Sequence, residues 1–216
     1  MGCSVNLSDM SLRLAFLLLF SWLTALSPHA GAATILVHGD SLSAAYGMPR
    51  DQGWVNLLAR RLDQESPGYR VQNTSMSGET TAGGLARIGS ALDQHKPEIV
   101  IIELGANDGL RGWPLDVMKR NLRTMVETCR ARGARVLLVG MQLPPNYGTA
   151  YTEKFHQVYR DLARELKVPL LPFLFEGFGE RRDFFLPDGL HPAVQAQPLI
   201  TDLVWKALKP LLKRKR

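Results

Sequence analysis

Ile99-Val100-Ile101-Ile102-Glu103-Leu104, introduced by Pro97, is a nearly unbroken run of β-branched and aliphatic side chains. Successive side chains of a strand point to opposite faces, so a strand with one wet face alternates apolar and polar residues. A run without alternation suits a strand buried on both faces, as in a parallel sheet covered by helices. Working outward, residues 34–38 read as a strand bounded by Gly39, residues 69–75 as a second, residues 136–141 as a fourth and residues 168–171 as a short fifth. Helical patterns lie between them. Trp54, Val55, Leu58 and Leu62 recur at helical spacing, as do Leu85, Ile88 and Leu92 within residues 80–95. Residues 115–132, 151–167 and 194–212 also read as helices, the last with Pro198 marking a kink near its start and Pro210 its end. Strands separated by helices require right-handed crossovers. The predicted fold is therefore α/β: a three-layer α/β/α sandwich around a five-stranded parallel sheet in the flavodoxin-like order 2-1-3-4-5.

The chain has 216 residues, 45% hydrophobic and 21% charged, which is the composition of one soluble globular domain and excludes fibrous and disordered classes. No internal repeat, low-complexity stretch or linker divides it. Residues 1–32 read as a cleaved signal peptide. Arg13 precedes the apolar run 14–26, which ends at Ser27-Pro28 and is followed by Ala30-Gly31-Ala32, an A-x-A cleavage pattern. Met10 offers a second start, because Met10-Ser11-Leu12-Arg13 already makes a compact basic region. The hydrolase domain is then 33–216, and export to the periplasm is expected. Asp9 and Arg13 cancel, so the remaining chain keeps the net charge of +6 and the single Cys129, expected to be buried and inert. The basic end Lys213-Arg214-Lys215-Arg216 reads as a solvated tail. Transient contact with a membrane surface is compatible with it. No basic stretch is interleaved with aromatics, so nucleic acid is not an expected partner. A monomer is expected.

In an open parallel sheet ligands bind beyond the carboxyl ends of the strands, so the segments that follow them are informative. Strand one ends in Gly39-Asp40-Ser41-Leu42-Ser43, strand two in Asn73-Thr74-Ser75-Met76-Ser77-Gly78, and strand three in Gly105-Ala106-Asn107-Asp108; Asp188-Gly189-Leu190-His191-Pro192 stands near the C-terminus. A serine hydroxyl needs a neighbouring base to become a nucleophile, and the base needs a carboxylate to hold its tautomer. Ser41, His191 and Asp188 meet these requirements as nucleophile, base and orienting acid. The backbone N–H of Ser41, the backbone N–H of Gly78 and the side-chain amide of Asn107 are candidate oxyanion donors. Asp108 is expected to brace its loop, His38 to be a structural residue at a strand end, and His95 and His156 to lie at the surface. No His, Cys and Asp grouping has metal-ligand spacing, and neither metal nor cofactor is expected. A G-x-S-x-G elbow, a phosphate-cradling loop and a G-x-G-x-x-G turn are all missing from the sequence.

These clusters resemble the blocks of the SGNH/GDSL hydrolase family, with Ser41, Gly78, Asn107 and His191 at the four named positions and Asp188 at the acidic one. The stretches 104–112, 143–148 and 168–173 are similar to a bacterial periplasmic branch of that family acting on thioesters and lysophospholipids. Ala45 and Ala106 depart from it, standing where the resemblance leads one to expect glycine; Ala106 would stiffen the segment carrying Asn107. The resemblance implies hydrolysis of acyl esters and thioesters, with lysophospholipids, aryl esters and fatty acyl thioesters as substrates. Leu143, Pro144 and Tyr147 are expected to wall an acyl channel, and the loop 109–114 with Trp113 to close over it. A carbohydrate (acetyl) esterase, or a non-catalytic lipid- or glycan-binding module on the same fold, are the alternatives. Activity is expected to fall below about pH 6, where an imidazole with a reference value near 6.5 takes up a proton.

Overall fold

β3 (Ile99–Glu103) is buried at every position in the computed structural model, which describes residues 1, 2 and 32–212. On one side it pairs with β1 (Ala33–Gly39), which pairs in turn with the edge strand β2 (Tyr69–Asn73); on the other side it pairs with β4 (Arg135–Val139), followed by β5 (Leu170–Leu171). All pairings are parallel and the order is β2-β1-β3-β4-β5, as the uninterrupted apolar runs predict. Each Ile of β3 is fully buried. Each contributes about 1.5–3 kcal/mol relative to an exposed position.

Five long helices cover the sheet. α1 (Trp54–Glu65) packs with α6 (Gln197–Leu208), while α2 (Thr81–His95), α4 (Leu115–Ala131) and α5 (Thr149–Leu166) pack in a row. Between β3 and α4 lies the short α3 (Ala106–Leu110), a segment that reads as a loop in the sequence. Gly105 precedes it with φ 118°, and Ala106, a strong helix former, takes its first position. β5 is shorter than expected because Pro169 has no N–H for a ladder and the N–H of Val168 is drawn back to Ala163 O at 3.0 Å. The last helix is divided as its prolines suggest. A 3-10 turn (Val194–Ala196) leads into α6, Pro198 sits in the first turn, and a second 3-10 turn (Lys209–Leu211) holds Pro210. Cys129 lies fully buried in α4, and burial pushes its thiol up to about 12, so it is inert as a nucleophile. Among the described residues no helix is long and apolar enough to cross a membrane. The stretch read as a signal peptide falls, over residues 3–31, outside the described residues, as does the basic end 213–216.

One buried side chain ties α1 to the last part of the chain. Gln197 accepts from Trp54 N at 2.9 Å and donates to the carbonyls of Pro192 (3.2 Å) and Ala193 (3.4 Å). Trp54 in turn donates from its indole to Leu42 O at 3.0 Å. Gln197→Leu should leave two buried backbone groups, Trp54 N and Pro192 O, without partners and lower stability by about 2–3 kcal/mol in urea denaturation; a loss below about 0.5 kcal/mol would show that water replaces the amide without cost.

Candidate active site

The turn that carries Ser41 follows directly from the end of β1. The chain folds back after Gly39 so that Ala44 N donates to Asp40 O (3.0 Å) and Tyr46 N to Ser41 O (3.3 Å). Asp40 Oδ1 accepts from Leu42 N at 2.9 Å, an Asx turn that sets the direction of the chain at Ser41. Ala45 in this turn has φ 60°, the left-handed region that favours glycine, which for an alanine costs about 1–2 kcal/mol. Resemblance calls for glycine at that position, and the backbone supplies the reason.

On the opposite wall, residues 184–193 form a pinned loop. Leu186 N donates to His191 O (2.8 Å), Ala193 N to Phe184 O (2.8 Å), and Phe185 bridges Pro192 in antiparallel fashion. This holds Asp188 and His191 in register. His191 Nε2 lies 2.9 Å from Ser41 Oγ, and its Nδ1 lies 2.8 Å from Asp188 Oδ2. Asp188 Oδ1 also accepts from the backbone N–H groups of Leu190 (2.8 Å) and His191 (3.0 Å). Burial opposes ionisation of Asp188, but these two N–H groups and the imidazole outweigh it and hold the carboxyl below the usual carboxylate range. Tyr46 covers the imidazole, its ring centroid 4.2 Å away and tilted 33°. The sequence reading missed Tyr46, because one aromatic in a turn carries no periodic signal.

The candidate oxyanion donors come from three segments. The N–H groups of Ser41 and Gly78 donate to no other described residue, and Asn107, in the first turn of α3, donates one amide hydrogen to Asp40 Oδ2 at 3.1 Å, leaving the second free. A Cβ at Gly78 would meet no atom within 4 Å, so close approach within the protein does not explain the glycine; its φ of 78° does. Arg111 holds that turn through Gly78 O at 3.2 Å. Asp108 braces the start of α2, accepting from Thr81 N (2.9 Å) and Thr81 Oγ1 (2.5 Å). His38 is buried, which lowers its pKa, and bonds Gly84 O (2.9 Å) and Thr74 Oγ1 (3.0 Å).

Ser41, Asn107 and His191 open into a cleft of about 1230 Å³. Leu143 and Pro144 line it, as the sequence suggests. Tyr147 and Trp113 are not among its lining residues: Tyr147 donates to the carbonyl of Leu110, which does line the cleft (3.1 Å), and Trp113, 43% exposed, lies under the Arg111 guanidinium at 5.2 Å. Their place is taken by Phe173, Phe175, Phe178 and Phe185, which meet edge-on or tilted around Phe175 at 5.4–5.6 Å. His156 is another correction: it is half-buried and lines the cleft, its Nδ1 donating to Met141 O (3.2 Å) while Nε2 accepts from Arg160 Nε (3.1 Å). Among the described residues no group of His, Cys, Asp and Glu is placed to hold a metal ion.

A serine hydroxyl, an imidazole and a carboxylate joined in that order, at the carboxyl edge of a parallel sheet, are the arrangement of a serine hydrolase. The chain belongs to the GDSL-like lipase/acylhydrolase family, which matches residues 37–197. It is 51% identical over 190 residues to Esterase TesA of Pseudomonas aeruginosa, spanning 88% of this chain and 94% of that one. It is 42% identical over 194 residues to Thioesterase 1/protease 1/lysophospholipase L1 of Escherichia coli K12, spanning 89% and 92%. The crystal structure of the psychrotrophic esterase EstA from Pseudoalteromonas sp., inhibited by monoethylphosphonate, superposes with a TM-score of 0.79 at 40% identity over 84% of this chain and 99% of that one.

Asp188→Asn keeps the volume of the acid but sets an amide against His191 Nδ1, favouring the wrong tautomer. It should lower kcat by about 10³–10⁴ with KM nearly unchanged. A steady-state assay giving a loss below about tenfold would remove Asp188 from the relay.

Proposed function

We propose that the protein is an exported hydrolase of acyl esters and thioesters that works through an acyl-Ser41 intermediate. The observation that carries this reading is the unbroken relay from Ser41 Oγ through His191 to Asp188, with spacings of 2.9 and 2.8 Å, opening into an aromatic-lined cleft. His191 Nε2 accepts the Ser41 proton as Oγ bonds to the acyl carbon. Asp188 keeps the remaining proton on Nδ1 and stabilises the imidazolium. The negative charge that develops on the carbonyl oxygen is met by the N–H groups of Ser41, Gly78 and Asn107, which need no reorganisation to receive it. His191 then returns its proton to the departing alcohol or thiol. Water, deprotonated by the same imidazole, attacks the acyl carbon, releases the carboxylic acid and restores Ser41.

The cleft supports an acyl chain over an acetyl group. Leu143, Pro144 and the Phe173, Phe175, Phe178 and Phe185 rings offer far more apolar wall than two carbons can cover. Lysophospholipids, aryl esters and fatty acyl thioesters are the substrate classes we infer. The apolar run and A-x-A pattern of residues 1–32 support export, after which lipid esters are the acyl donors at hand.

The test is a series of p-nitrophenyl esters of rising acyl length, assayed on the wild-type protein and on Ser41→Ala. Wild-type kcat/KM should be highest for medium or long chains. Ser41→Ala should lose about 10³-fold or more of turnover while its circular dichroism is unchanged. A Ser41→Ala protein that keeps most of its activity sinks the nucleophile assignment, and a preference for acetyl over longer chains replaces the lipid reading with the carbohydrate esterase one.

A further inference from the structure

Two acids lie beneath the nucleophile turn and take no part in the acyl-transfer steps above. Glu103 ends β3 opposite Gly39 of β1 and is 0% exposed, as is Asp40. Glu103 Oε2 accepts from Ser43 Oγ at 2.7 Å and from Asp40 N at 3.4 Å. Its other oxygen, Oε1, is buried and faces no donor. This approach is possible only because residue 39 has no side chain: a Cβ there would stand 2.8 Å from Glu103 Oε2 and 2.8 Å from Ser43 Oγ. Asp40 spends its own oxygens on Leu42 N and on the Asn107 amide. The pair therefore grips both the turn that carries Ser41 and the side chain offered as an oxyanion donor.

No cation among the described residues answers this charge. Neither acid takes part in an ion pair among the described residues, and the titratable groups facing the pair are Asp108 from α3 and the Tyr159 phenol from α5, which donates to Leu104 O at 3.0 Å. Two ionised carboxylates in one dry pocket repel each other strongly and lose their hydration, so a proton is retained between them. A proton on Glu103 also turns its buried carboxyl into a donor, with the Asp40 carboxyl beside it. We propose that Glu103 is a positioning residue that carries this proton in the working enzyme and donates it to Asp40, so that a single negative charge holds the Asn107 amide and the Ser41 turn. The inference rests on the assignment of Ser41 and Asn107 to the site.

The electrostatics point the same way. Burial raises Glu103, and the charge of Asp40 raises it further; burial raises Asp40 too, against the opposing N–H groups of Leu42 and Asn107. Both shifts are upward, so the pair keeps its shared proton to higher pH than free carboxylates do and loses it as pH climbs through that raised range. Its loss places a second negative charge beside the donors meant for an oxyanion, which opposes the transition state.

The experiment is the pH dependence of kcat and KM for a p-nitrophenyl ester, between pH 6 and 10, on the wild type and on Glu103→Gln. Glutamine reproduces the protonated acid: its carbonyl accepts from Ser43 and Asp40 N, and its N–H₂ donates to Asp40, but it cannot ionise. The expected result is a wild-type kcat that declines on the alkaline side, and a variant that keeps kcat within about threefold near neutrality while its decline moves up by about one pH unit or more, with KM little changed. Superimposable profiles, or a folded variant with kcat about a hundredfold down at neutral pH, overturn the proposal. Should Glu103→Gln fail to fold, infrared spectra of the wild type decide. A carbonyl stretch of a protonated carboxylic acid at neutral pH, vanishing in step with alkaline inactivation, is expected, and its absence overturns the proposal. Failure of the hydrolase reading shows separately, as activity that survives Ser41→Ala.

Discussion

Ser41 and His191 stand 150 positions apart, and a hydrogen bond of 2.9 Å joins them. The proposed chemistry depends on that one distance, because proton transfer falls away once the hydroxyl and imidazole part. Neither residue sits in regular secondary structure. Each is therefore held by what its turn is bonded to. The Ser41 turn is pinned by the Asp40 side chain, by the Trp54 indole on Leu42 O and by Asn73 on Ser43 O. The His191 loop is pinned by its hairpin-like bonds and, through Pro192 and Ala193, by Gln197. Gln197 and Trp54 also bond each other, so the two walls of the site share one buried polar bridge at the back of the molecule.

The sheet makes such bracing effective. β1 and β3 lie side by side at its centre, and both Ser41 and Asn107 follow their carboxyl ends within four residues. A fully buried β3 cannot slip without exposing its isoleucines or dragging a polar end inward, so the register that sets Gly39 against Glu103 is strongly specified. Fold and site are thus linked at one place: the residue that terminates the central strand is also the acid that grips the nucleophile turn.

Much of this was legible in the sequence, for identifiable reasons. A strand covered on both faces shows itself as an unbroken apolar run, and helices between such runs leave few topologies, so the strand order could be read in advance. That Ser41, Asp188 and His191 come together was legible because acyl transfer demands those residue types and each lies where a parallel sheet presents ligands. What was not legible depends on tertiary direction. Tyr147 and Trp113 are aromatic residues near the site, yet side chains outside regular elements have no period to say where they point, and neither lines the cleft. The phenylalanines between 173 and 185 form the apolar wall without any regular spacing. Five residues are too few for a helical pattern, so α3 read as a loop. Nothing in the sequence singles out Gln197 or Glu103; only their burial and their partners reveal what they do.

In the proposed mechanism three N–H donors and the Ser41 hydroxyl converge on one acyl group. A crystal structure of the protein after treatment with a medium-chain alkyl phosphonate tests it directly. Phosphorus is expected on Ser41 Oγ, with the phosphoryl oxygen about 2.7–3.1 Å from the nitrogens of Ser41, Gly78 and the Asn107 amide, and the alkyl chain running along Leu143 towards Phe175. Phosphorus on another residue, or a phosphoryl oxygen turned to solvent away from those donors, would contradict it.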